Sequence, residues 1–119
     1  ASYLDQRRIP ELFCGFRRRP GRAPTLYPAA CSPQAWAAAA PFSLIQSMLG
    51  LEFRPQDGEV RLNNPCLPPS VGYIRLRNVT LGEASADFIV RPSAGDGVAL
   101  EMLHARGDLR VSLVLDQRT

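Results

Sequence analysis

The sequence predicts an α+β fold: a proline-rich loop and one long kinked helix, then an antiparallel β-sheet or small β-sandwich. Three observations carry this reading. Residues 33–51 contain no charged residue and read as a helix. From Leu51 onward the apolar residues recur with period 2 rather than 3.6. Eleven prolines and nine glycines among 119 residues punctuate the chain into short elements. A chain of this size has room for one modest core, since it buries only about two-thirds of its unfolded surface. The expected organisation is a loop and helix over residues 1–50 and an antiparallel β domain over 51–119.

Residues 1–8 form a polar lead-in without a start signal of its own. From Ile9 to Pro33 five prolines break any helix, and Gly15 and Gly21 permit tight turns, so the stretch reads as an ordered or partly ordered loop. Ser32 is a good N-cap, Pro33 suits the first helical position, and Gln34 to Ala40 is rich in helix formers. Pro41 should kink this helix, which resumes through Phe42, Leu44, Ile45, Met48 and Leu49 and stops at Gly50. It is apolar on most sides, as a helix surrounded by protein would be.

Leu51/Phe53 and Val60/Leu62 flank Asp57-Gly58 and predict a hairpin. Asn63 to Ser70 is a proline-rich, extended connection. Four further strands are expected at Tyr73–Leu81, Ala84–Arg91, Val98–Ala105 and Leu109–Leu115. Alternation is clearest in Ala84, Ala86, Phe88, Val90 and in Leu109, Val111, Leu113, Leu115. Arg106-Gly107-Asp108 reads as a hairpin turn between the last two strands.

Composition excludes several functions. Net charge is +3, with all fourteen basic residues arginine, which is too mild to argue for nucleic acid. Three cysteines without a CxxC spacing and a single histidine suit neither a zinc site nor a disulfide framework, so no metal and no cofactor is expected. Reduced thiols and the absence of a signal-like opening favour a cytoplasmic setting. The uncharged run is broken by Pro41, Gln34, Gln46 and serines, so a buried helix is preferred to a membrane span.

The candidate chemistry lies between Ile9 and Trp36. Glu11 stands among Ile9, Leu12, Phe13 and Phe16; a carboxylate in apolar surroundings suits acid or base work, and an exposed loop glutamate is the plainer alternative. Arg17, Arg18, Arg19 and Arg22 read either as an anion patch or as a solvated surface. Cys14 and Cys31 read as small buried thiols, with pairing or metal binding as the alternative. Trp36 offers either a sugar-stacking face or a core side chain. His104 shares strand parity with Val98, Leu100 and Met102 and reads as structural, and Asn78-Val79-Thr80 as an incidental match to a glycosylation acceptor.

Two blocks, Ile9-Pro10-Glu11-Leu12-Phe13-Cys14-Gly15-Phe16 and Tyr27-Pro28-Ala29-Ala30-Cys31-Ser32-Pro33-Gln34-Ala35-Trp36-Ala37, resemble the C-terminal part of bacterial amylo-α-1,6-glucosidases, glycogen-debranching-like glycosidases. The resemblance covers roughly residues 7–53, and the β segment only loosely. It implies the last piece of a barrel of six helical hairpins in an inverting glycoside hydrolase acting on α-glucosidic bonds. Glu11 matches the position of the general base there, and Gln34 and Trp36 fall where the family contacts substrate. The partner acid would lie upstream, so this chain alone is expected to be inactive. The implied partners are the rest of the barrel or another subunit and an oligo- or polysaccharide, with self-association possible and neither nucleic acid nor membrane involved. A different class competes: a non-catalytic β-rich binding or interaction module whose apolar helix docks to a partner.

Overall fold

The structure, a computed structural model, describes residues 9–31, 34–94 and 97–116. The described residues form an α+β fold with one α-helix and six strands in two sheets. The chain divides into two compact units, Ala1–Leu44 and Ile45–Thr119.

In the first unit the loop folds back on itself. Phe13 forms an isolated antiparallel bridge with Leu26, and the Cys14 N–H donates to the Thr25 carbonyl at 2.8 Å. Helix α1 runs from Ala35 to Leu49, continuous across Pro41. The Ala38 N–H donates to the Gln34 carbonyl at 2.9 Å, which puts Gln34 at the cap position. The expected cap Ser32 and first helical residue Pro33 lie outside the described residues. Among the described residues of this unit only Pro10 and Ala37 are buried.

The second unit holds the core. Gly50 ends α1 in the left-handed region (φ 55°), where a residue without a Cβ adopts the conformation without strain. Strands β1 (Leu51–Arg54) and β2 (Glu59–Asn63) form the expected hairpin, tightened by a 3-10 turn at Pro55–Asp57. Strands β3 (Ile74–Leu81), β4 (Ala84–Pro92) and β5 (Val98–Arg106) form an antiparallel meander. Strand β6 (Arg110–Val114) lies parallel to β2. One hydrophobic cluster joins Val60 and Leu62 of β2, Ala86, Phe88 and Val90 of β4, Leu49, Val98 and Leu109. The inner faces of both sheets therefore share a single core.

The β6 pairing corrects the reading of Arg106-Gly107-Asp108. This segment is a crossover from one sheet to the other, because β5 pairs with β4 and β6 with β2. Glu59 supplies a physical reason. Its carboxylate, on the face of β2 opposite Val60 and Leu62, is 3% exposed. The Ser112 hydroxyl donates to it at 2.6 Å and Arg61 at 2.9 Å, while Arg110 lies 3.5 Å away. Without β6 two of these three partners are lost, and a covered carboxylate needs them.

Two bulges reset the alternation. In β3 the register shifts between Leu76 and Val79, so Ile74 and Leu76 are followed by Val79 and Leu81 as the residues packed on the core. Asn78 takes the positive φ of 50°, and its N–H donates to the Asp87 side chain at 2.7 Å. In β5 the shift comes after Met102. His104 then pairs with Asp87 instead of continuing the parity of Val98 and Leu100, and it is exposed on an edge strand. Period-2 counting cannot anticipate a bulge, which is why the His104 parity fails.

Candidate functional site

Glu11 owes its position to the folded-back loop. Its own N–H donates to the Cys31 carbonyl at 3.1 Å, and the Cys31 N–H donates to Glu11 Oε2 at 3.1 Å. One residue pair is thus tied through both main chain and side chain. Farther out, the Phe13–Leu26 bridge keeps the arms together, and Cys14 Sγ lies 3.5 Å from the Leu26 carbonyl oxygen. The Ala30 N–H donates to the Tyr27 carbonyl at 3.0 Å, turning the returning arm toward Cys31.

The surroundings of Glu11 differ from the apolar enclosure its sequence neighbours suggested. Glu11 itself is half-buried beside buried Pro10, but Leu12, Phe13 and Phe16 are exposed. Apolar neighbours in sequence do not enclose a carboxylate when the chain between them is extended, because alternate side chains point to opposite faces. Oε2 has its backbone donor; Oε1 accepts no hydrogen bond from the described residues.

Gln34 is half-buried, and its Oε1 is covered without a hydrogen-bond partner among the described residues. Trp36, the second residue of α1, is 60% exposed. The described hydrogen bonds tie Glu11 to Cys31; they link it neither to Gln34 nor to Trp36. Arg17, Arg18, Arg19 and Arg22 are all exposed around a tight turn closed by the Arg22 N–H on the Arg19 carbonyl at 3.2 Å.

Sequence reasoning did not single out a groove of about 820 Å³ in the second unit. It is walled by the proline run Pro65, Pro68 and Pro69 with Cys66, Val98 and Leu115. One end is closed by a reciprocal pair: the Asp116 N–H donates to Asn64 Oδ1, and Asn64 Nδ2 donates to Asp116 Oδ2, both at 2.7 Å. Neither Glu11, Gln34 nor Trp36 lines it. The proline-rich connection was its only sequence signal.

Cys14, Cys31 and Cys66 are free thiols, and no group of three or more His, Cys, Asp or Glu among the described residues could hold a metal ion. No helix among them is long and apolar enough to cross a membrane. Comparison with models of protein families, with curated proteins and with solved structures finds no match for this chain.

Proposed function

We propose that this chain is the C-terminal part of an inverting glycoside hydrolase of the amylo-α-1,6-glucosidase type, a glycogen-debranching-like enzyme of the cytoplasm, and that Glu11 is its general base. The observation that carries the reading is the reciprocal Glu11–Cys31 pair. It joins the two sequence blocks on which the resemblance rests and fixes one carboxylate oxygen, while the other accepts no hydrogen bond from the described residues.

The chemistry follows from that arrangement. A general base must be ionised, oriented and within reach of one water. The Cys31 N–H orients the Glu11 carboxylate through Oε2. Oε1 then takes the proton of the water that attacks the anomeric carbon, opposite the leaving group. A carboxylic acid from the remainder of the barrel protonates the departing oxygen, with the two carboxyl groups about 6.5–9.5 Å apart to admit the water. Trp36 offers an exposed ring face to a pyranose, and Gln34, two residues before it, is the second substrate contact, through its amide group as a whole because its Oε1 is covered. The chain alone cannot supply both proton transfers and is inactive by itself.

The test is Glu11→Gln in the protein encoded by the full reading frame, assayed on α-glucan oligosaccharides. Loss of hydrolysis by at least about a thousandfold with unchanged folding is expected, since the base acts in the transition state. Near-normal turnover in a folded variant would sink the assignment.

The second reading, a non-catalytic interaction module, is favoured by the exposed Trp36, Phe42 and Leu44 on α1. The two readings part on whether Glu11→Gln changes any activity.

A further inference from the structure

The four arginines of the loop are not spread along it. Arg19-Pro20-Gly21-Arg22 is a type II turn: proline presets the first central position, and Gly21 takes the required positive φ of 69° at the second. The Arg22 N–H closes the turn on the Arg19 carbonyl. Residues at the two ends of such a turn stand within about 7 Å, Cα to Cα. Arg19 and Arg22 are therefore neighbours in space, and the backbone bonds at Cys14–Thr25 and Phe13–Leu26 hold the arms beneath them.

No carboxylate among the described residues of the unit pairs with them. None of the ion pairs among the described residues involves Arg17, Arg18, Arg19 or Arg22. The one carboxylate among the described residues of this unit, Glu11, is bonded to the Cys31 N–H. Phe16, adjoining the cluster, is 69% exposed.

We propose that the Arg19–Arg22 turn is a clamp for a phosphate monoester, with Arg17 and Arg18 supplying the surrounding positive field. Two planar guanidinium forks carried at the two ends of one tight turn suit a compact dianion, which each can bind through paired N–H donors. The cluster spans only residues 17–22 and carries four charges, whereas a nucleic-acid track needs cations spaced along many phosphates. The exposed Phe16 ring offers a face to a sugar carrying the phosphate. That the carrier is a glucosyl unit rests on the carbohydrate reading above; the clamp itself does not.

Isothermal titration calorimetry on the full chain decides it, using inorganic phosphate, glucose 6-phosphate, glucose and a homopolymeric DNA oligonucleotide. Both phosphate monoesters should bind saturably with glucose silent, and the double variant Arg19→Gln/Arg22→Gln should weaken binding by about tenfold or more. Arg19→Lys/Arg22→Lys should restore only part of the affinity, because lysine keeps the charge and loses the fork. Tighter binding of glucose 6-phosphate than of inorganic phosphate supports a sugar carrier. Equal binding supports the clamp with free phosphate as its ligand. The clamp is overturned by any of three results: no saturation with either monoester, full rescue by lysine, or tighter oligonucleotide binding per phosphate. Glu11→Gln should leave the titration unchanged, so failure of the catalytic reading and failure of the clamp are distinguishable. The unfolding midpoint of the glutamine variant should match the parent, because the turn lies outside the core cluster.

Discussion

Substituting Gly50 by alanine tests how the end of α1 is joined to the β1–β2 hairpin. Gly50 sits at φ 55°, and its carbonyl accepts the Asn63 N–H at 3.0 Å. A Cβ there would overlap the Asn63 carbonyl oxygen outright and stand 2.9 Å from its carbonyl carbon. Neither neighbour is the flexible end of a side chain, so relief requires moving the main chain of β2. Beside that strand residue, Val60 and Leu62 are fully buried. The left-handed conformation costs alanine about 1–2 kcal/mol. Forcing packed backbone aside adds about 1–3 kcal/mol.

A loss of about 3 kcal/mol should lower Tm by roughly 12–24 °C in a domain of this size. Far-UV circular dichroism followed through thermal and urea unfolding reads both quantities. Gly82 supplies the control, because it has a similar φ of 61° and nothing within 4 Å of an added Cβ. Gly82→Ala should lose only the conformational share, about 1 kcal/mol. Gly107 falls between: its φ is 75° and an added Cβ would lie 2.9 Å from the Ala84 Cβ. The expected order of destabilisation is Gly50→Ala, then Gly107→Ala, then Gly82→Ala. Equal losses for Gly50→Ala and Gly82→Ala, within about 0.5 kcal/mol, would show that the contact with Asn63 carries no energy and refute the reasoning.

Two further outcomes are expected. The Ser112 hydroxyl first, and then Arg61 and Arg110, hold the Glu59 carboxyl below its ordinary value of 4.5. A depressed pKa contributes stability above the unfolded value that is lost as pH falls through the folded one, so the urea midpoints of the parent and Glu59→Gln should converge as pH drops below about 4.5. A gap that is the same at pH 3 and pH 7 would contradict this linkage. On α1, Phe42 and Leu44 are 76% and 68% exposed, so multi-angle light scattering should show self-association rising with concentration, reduced by Phe42→Ser/Leu44→Ser; a clean monomer at high concentration would count against a docking role for the helix.

The fold was largely legible because its two periods are clean. Ala86, Phe88 and Val90 alternate in the sequence and are the buried residues of β4, and Gly50 stops the helix where a C-cap was expected. What escaped was non-local. Nothing in Arg106-Gly107-Asp108 distinguishes a hairpin turn from a crossover. The difference is made by Glu59, some fifty residues earlier, which needs Ser112 and Arg110 beside it. Bulges escaped for a related reason: Asn78 is stabilised by Asp87 on the neighbouring strand, a partner that no window around Asn78 contains.

The candidate site shows the same division between local and non-local information. Local sequence placed Glu11 in an apolar segment, and from that an enclosed carboxylate followed; yet Leu12, Phe13 and Phe16 turn outward, and the group that orients Glu11 is a backbone N–H at Cys31, twenty positions away. This changes what sets the behaviour of Glu11 as a base. The backbone donor fixes the direction in which the carboxylate faces, and a base that must reach a single water depends on that direction. A side-chain substitution at Cys31 leaves that donor in place, so Cys31→Ala should spare the function of Glu11. Removing the N–H itself with Cys31→Pro should impair it as Glu11→Gln does. The contrast between those two substitutions separates a role for the Cys31 thiol from a role for its backbone.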